Sequence, residues 1–332
     1  MATFTMELGG LSNAQHVVEE LALPLLPHLG AVTACWKALD TCAASRTGVT
    51  VVGPKGAGKS VGIQHACELF AQMERELRRR HEAYRVRKVL RFGEIRCRSD
   101  REVALLLARR LDPRYSERAN GQKKTVAQIR ADIVSMCLRQ QYAVIVVDEA
   151  ETFADEALQF LRDLLRDARD AAPETGQAGT GPVPHGLGIL LVGDDTFDPR
   201  GRLGREAGER WRQVIEVRSP EVGHVIEVLG TWFPGFAPHV ERVGEVAWAN
   251  HLASVIGRGR PISFRFVENV ARLYAHYMVR SDPSIGDRTA IPFNRHLFEL
   301  AAEECSWAHQ APQAKRPPKP RSSRARTGGA AT

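Results

Sequence analysis

The chain has 332 residues, 43% of them hydrophobic and 26% charged, with a formal net charge of +7. That is the composition of a soluble globular protein with a sizeable core, one large domain or two small ones. It excludes a membrane-spanning chain and a disulfide scaffold. The apolar run "LALPLLPHLG" is short, broken by two prolines and preceded by Glu19 and Glu20, and the six cysteines form no CxxC pair. The cysteines read as buried, reduced thiols, which sets the expectation of a cytoplasmic protein.

In chain order, residues 1–30 form an N-terminal segment, and the first strong signal follows it. "VTVV" reads as a buried strand and runs into "GPKGAGKS". That octet fits G-x-x-x-x-G-K-[ST], with Gly53, Gly58, Lys59 and Ser60 in the fixed places. Gly53, Gly56 and Gly58 let the backbone turn so that amides converge on phosphate oxygens, and Pro54, Lys55, Ala57 and Val61 complete the loop. Lys59 supplies a point charge and Ser60 a hydroxyl for Mg²⁺. The next residues place Ile63, Ala66, Cys67, Phe70, Met73 and Leu77 on one side of a helix. Strand, loop and helix are the setting that a phosphate cradle requires.

A strand "KVLRFGEI", a helix from Asp100 to Leu111, a loop "DPRYSERANGQKKT" and a helix from Thr125 to Arg139 come next. Arg78 to Arg101 holds ten basic residues against three acidic. Arg78 to Arg80 read best as a solvated helix end that complements the macrodipole. "YAVIVVDEAE" is a buried strand ending in Asp148 and Glu149. The aspartate can hold Mg²⁺ and the glutamate can orient and deprotonate a water; the competing reading is a helix cap. A third strand, Leu187 to Val192, turns polar at Asp194 and Asp195, either of which can act as a γ-phosphate sensor. The tail after Glu304 carries Lys315, Arg316, Lys319, Arg321, Arg324 and Arg326 without an acidic residue, so the rest of the chain is close to neutral. This tail, 311–332, reads as disordered, either a solubilising end or an arm for phosphates or an acidic partner.

The order of P-loop, acid-pair strand, sensor strand, arginine cluster and helical lid resembles the AAA+ ATPases. The resemblance implies an α/β core with a central parallel sheet flanked by helices over 31–220, a helical lid over 221–310, and ATP with Mg²⁺ as ligands. In "REAGERWRQVIEVRSP", Arg210 beside Trp211 matches the arginine finger that reaches a neighbouring subunit, with Arg205 second. In "IGRGRPISFRFVENVARLYAHYM", Arg260 matches sensor two, with Arg265 the runner-up and Phe266, Val267, Val270, Ala271, Leu273 and Tyr274 as core. The layout between the motifs is similar to the TniB, TnsC and MuB regulators of DNA transposition, and more distantly to origin-recognition ATPases. That likeness implies homo-oligomers on double-stranded DNA, a recruited transposase, and DNA contacts at Lys123 and Lys124. The alternative is an ATPase that loads or remodels another protein, or a nucleotide switch. The sequence departs from the group at Glu151, at the sensor aspartates and in the long loop 172–186, and it lacks the GAFTGA loop of enhancer-binding activators.

Overall fold

A computed structural model describes residues 30–310, without 83, 94–95, 172–185, 199–200, 203–210, 212, 258–261, 283 and 286. Helix α1 (Gly30–Ser45) leads into β1 (Gly48–Val52), and α2 (Lys59–Arg80) follows the glycine-rich loop. β2 (Lys88–Phe92), α3 (Asp100–Leu111) and α4 (Val126–Arg139) fall where the hydrophobic pattern placed them. Ser99 caps α3 by accepting from the Glu102 N–H, and Thr125 with Gln128 forms a capping box on α4. The acid-pair strand is β5 (Tyr142–Val147), followed by α5 (Asp155–Asp170), β6 (Gly188–Gly193) and β7 (Gln213–Glu216).

These five strands form one parallel sheet in the order β2-β5-β6-β1-β7. β6 therefore lies between the P-loop strand and the acid-pair strand, which are not direct neighbours. Alternation along the central strands splits the core into two layers. Ile145, Val147, Ile189 and Leu191 face α3, α4 and α5, whereas Val144, Val146, Leu190 and Val192 face α1 and α2.

Two local expectations change. Residues 112–125 are not simply a loop: β3 (Arg118–Ala119) and β4 (Gln122–Lys123) form a small antiparallel hairpin. Its turn is Asn120-Gly121 with φ of 52° and 80°, the backbone that an Asn-Gly pair favours, so the signal was present in the sequence. On α2, Met73 is exposed and Glu74 is fully buried. The Glu74 carboxylate accepts bonds from Tyr84 Oη at 2.9 and 2.8 Å and from Arg87 Nη2 at 2.7 Å, and Arg87 lies over the Phe70 ring. A charged residue thus takes the place that periodicity assigned to an apolar one. Arg78 to Arg80 lie exposed in the last turn of α2.

Beyond β7 the described chain is helical: α6 (Val222–Trp232), α7 (Ala237–Val243), α8 (Glu245–Leu252), α9 (Phe264–Ser281) and α10 (Arg295–Gln310). These helices gather their own apolar cluster, which Val32 of α1 joins. Phe236 is at its centre, ringed by Phe233, Trp248, Tyr274, Phe293 and Phe298 with ring centroids 4.9 to 6.3 Å away. Tyr274 Oη donates to the Pro292 carbonyl at 2.6 Å. Phe266 and Leu273, expected in the core, are partly buried at its margin. Among the described residues no helix is long and apolar enough to cross a membrane.

Candidate nucleotide-binding site

β1 delivers the chain to Gly53 at the carboxyl edge of the sheet. A Cβ there would strike the Val217 carbonyl oxygen, so glycine is required by close approach. Gly56 and Gly58 take φ of 79° and 88°, which bends the loop into a concave turn. Gly58 is the residue before α2 and offers no side-chain cap, which leaves the positive end of the helix facing the loop. Lys59 Nζ folds back over the turn and donates to the carbonyls of Gly53 at 2.6 Å and Pro54 at 2.9 Å. Burial pulls its pKa down, while Glu151, Asp194 and Asp148 oppose that shift. Ser60 is exposed and Val61 half-buried in the first turn of α2.

Asp148 lies at the end of β5 and is 7% exposed. Its Oδ1 accepts the Glu149 N–H at 3.1 Å and its Oδ2 accepts from Arg91 Nη2 at 3.0 Å. Gly93 makes room for it, since a Cβ there would come within 2.7 Å of the Asp148 Cβ. Glu149 has φ 56°, in the left-handed region that a non-glycine residue avoids, and its side chain is exposed. A short 3₁₀ turn, Ala150–Thr152, follows, and Asp148 caps no helix by its side chain.

β6 brings Asp194 beside these groups. Asp194 is 5% exposed, whereas Asp195 faces solvent. Asp194 Oδ1 accepts from the Thr196 N–H and hydroxyl, and Oδ2 lies 3.4 Å from Lys55 Nζ. Burial pushes its pKa upward, but the Thr196 bonds and the Lys55 charge outweigh this and hold it below the ordinary value. Lys55, itself largely exposed, thus links the loop to the end of β6. The Asp194 N–H donates to Glu151 Oε2 at 3.2 Å. Burial raises the Glu151 pKa, with Asp194 and Glu149 adding to the rise.

The start of α9 packs against the loop. The Phe264 N–H donates to the Gly56 carbonyl at 2.8 Å. A Cβ on Gly56 would meet Ser263 Oγ, and Arg265 Cβ lies 3.4 Å from that same position. Arg265 therefore stands in the first turn of α9 above the loop. Arg260, Arg205 and Arg210 lie outside the described residues. Trp211 is buried and packs against Gly48 of β1.

Two features of the site escaped sequence reading. Arg91 touches both halves of it, donating to Asp148 and, at 3.3 Å, to the Ser60 carbonyl. A cleft of about 240 Å³ also opens beside Ala57, walled by Ala31, Val217, Pro220, His224 and Phe264. Its walls come from four separate stretches of chain, so no linear motif marks it.

The basic hairpin divides its two lysines. Lys124 Nζ pairs with Asp132 at 2.8 Å and lies 4.6 Å from the Tyr115 ring centroid, and Arg101 donates to its carbonyl. Lys123 is exposed, directly across the ladder from exposed Arg118.

The fold is an AAA+ fold, a central parallel sheet flanked by helices. A family profile described as an AAA domain matches residues 43–199. Among solved structures the chain is similar to the ORC2 protein of Aeropyrum pernix in its ADPNP-ADP complexes. There the identity is 13% and the TM-score 0.57, with 87% of this chain and 71% of that one covered. It is also similar to Cdc6p from Pyrobaculum aerophilum, at 15% identity and a TM-score of 0.51, covering 83% of this chain and 67% of that one. No curated protein matches it.

Proposed function

We propose that the chain is an ATPase that assembles on duplex DNA and regulates DNA transposition by recruiting or activating a transposase. The observation that carries the nucleotide chemistry is the single guanidinium of Arg91, which bonds both the Ser60 carbonyl and the Asp148 carboxylate. One nitrogen can reach both only if the backbone at Ser60 and the Asp148 carboxylate are neighbours. The left-handed glycine turn, the buried Asp148 and the folded-back Lys59 suit a triphosphate with Mg²⁺. The residues that would hold it are Gly53 to Val61 for the phosphates, Ser60 and Asp148 for the metal, and Arg265 or Arg260 from the lid. Mg²⁺, when bound, neutralises phosphate charge. Glu149, projecting from the strand end, is the base for the attacking water, and Asp194 reads the third phosphate. Arg210, or Arg205, completes the site of an adjoining subunit.

Support for the DNA reading comes from the hairpin. Arg118 and Lys123 lie directly opposite on a two-residue ladder and repel, and although Glu117 offsets part of the Lys123 charge, the exposed pair favours an external polyanion. Lys124 is committed to Asp132, and its share in DNA contact is through holding the hairpin base. The likeness in fold to ORC2 and Cdc6p favours a second reading, an ATPase of the replication-initiator or loader type that acts on another protein.

The deciding experiment is ATP turnover and DNA retention by the full chain, with and without duplex DNA at low salt. Stimulation with retention that depends on Lys123 supports the first reading. Turnover indifferent to DNA removes it and leaves the second.

A further inference from the structure

Arg91 lies on β2 between Leu90 and Phe92, both of which face the α3–α5 core layer. Alternation turns Arg91 to the opposite side, toward α2 and the metal half of the site. There its Nη2 donates to Asp148 Oδ2 at 3.0 Å and to the Ser60 carbonyl at 3.3 Å. Its side chain is 35% exposed and that of Asp148 9%. A carboxylate buried to this degree needs a counter-charge, and in this chain the protein supplies one itself.

Resting on the reading of Asp148 as the metal-side acid, we propose that Arg91 is a resident cation of the metal position that sets how far nucleotide binding depends on Mg²⁺. Two cations cannot share one carboxylate without repelling each other, so Arg91 weakens the hold on Mg²⁺. The same guanidinium, beside the first turn of α2, attracts the phosphates when no metal is present. Both effects act in one direction: they uncouple nucleotide affinity from magnesium. Arg91 is a positioning residue here, acting through Asp148 and the field at the loop.

The test is calorimetric titration of the full chain with ADP, in Mg²⁺ and in EDTA. Wild type is expected to lose less than about tenfold in affinity on removing the metal. In Arg91→Gln that ratio should grow by about tenfold or more, because metal-free binding weakens while metal-assisted binding strengthens. Arg91→Lys keeps the charge and should stay close to wild type. A merely structural arginine would shift both affinities alike, so an unchanged ratio in Arg91→Gln overturns the proposal. If Arg91→Gln does not fold, wild type still decides: a loss beyond about a hundredfold in EDTA overturns it. Absence of ADP binding under both conditions refutes the nucleotide site itself, an outcome distinct from failure of the Arg91 role.

Discussion

The backbone N–H of Phe264 donates to the carbonyl of Gly56 at 2.8 Å, which ties the first turn of α9 to the glycine-rich loop. The start of α9 and the glycine-rich loop are therefore held together by one backbone hydrogen bond and by the close approach of Ser263 to Gly56.

Arg265, one residue further along α9, is exposed, and under the proposed function it meets a bound phosphate. Arg265→Ala should weaken ATP binding about tenfold, the size of one charge-assisted hydrogen bond, and leave the melting temperature nearly unchanged. Fluorescent-nucleotide titration checks this. Unaltered affinity would transfer the role to Arg260.

The loop lysine and the base separate binding from chemistry. Lys59→Ala removes the ammonium held over Gly53 and Pro54 and should weaken nucleotide at least about 30-fold, equivalent to about 2 kcal/mol. Glu149→Gln should bind as wild type and lose about two to four orders of magnitude in turnover. Steady-state phosphate release beside an equilibrium binding curve separates the two. A Glu149→Gln protein with full turnover would show that the base lies elsewhere.

Glu74 is fully buried and pairs with Arg87, itself 17% exposed. Glu74→Ala strands that guanidinium and the Tyr84 hydroxyl, and it should cost about 3 kcal/mol in urea unfolding. A loss below about 1 kcal/mol would mean that water takes over the pairing.

Glu151 has its pKa raised above the ordinary 4.5 by burial and by the neighbouring Asp194 and Glu149. A carboxyl whose folded pKa is raised favours the fold when protonated, and that contribution is lost as pH rises through the folded value. At about pH 8 the ionised group is therefore unfavourable, and Glu151→Gln should raise the melting temperature. The gain should shrink as pH falls toward 4.5. Equal gains at both ends of that range would show that charge is not the cause.

Much of the site was legible because its chemistry is local. A glycine turn, an adjoining lysine and serine, and an apolar strand ending in two acids each occupy consecutive positions, so Gly53 to Val61 and Asp148 with Glu149 could be read off directly. The helices expected over 100–111 and 125–139 were found at 100–111 and 126–139. Sequence could not show Glu74 inside the protein, because its partner Arg87 lies past a helix end and no periodicity predicts a buried charge.

What the chain by itself determined is the main sheet strands, the helices over 59–80, 100–111 and 126–139, and the glycine-rich turn between β1 and α2, since each depends on backbone preference and on hydrophobic repeat within a few turns. Only the tertiary structure decided that β6 separates the two motif strands, that Arg91 bridges Ser60 and Asp148, that Lys124 turns inward while Lys123 does not, and that α9 rests on Gly56. Those outcomes depend on which residues from distant segments meet, and that is settled by sheet order and packing over the whole core rather than by any local stretch.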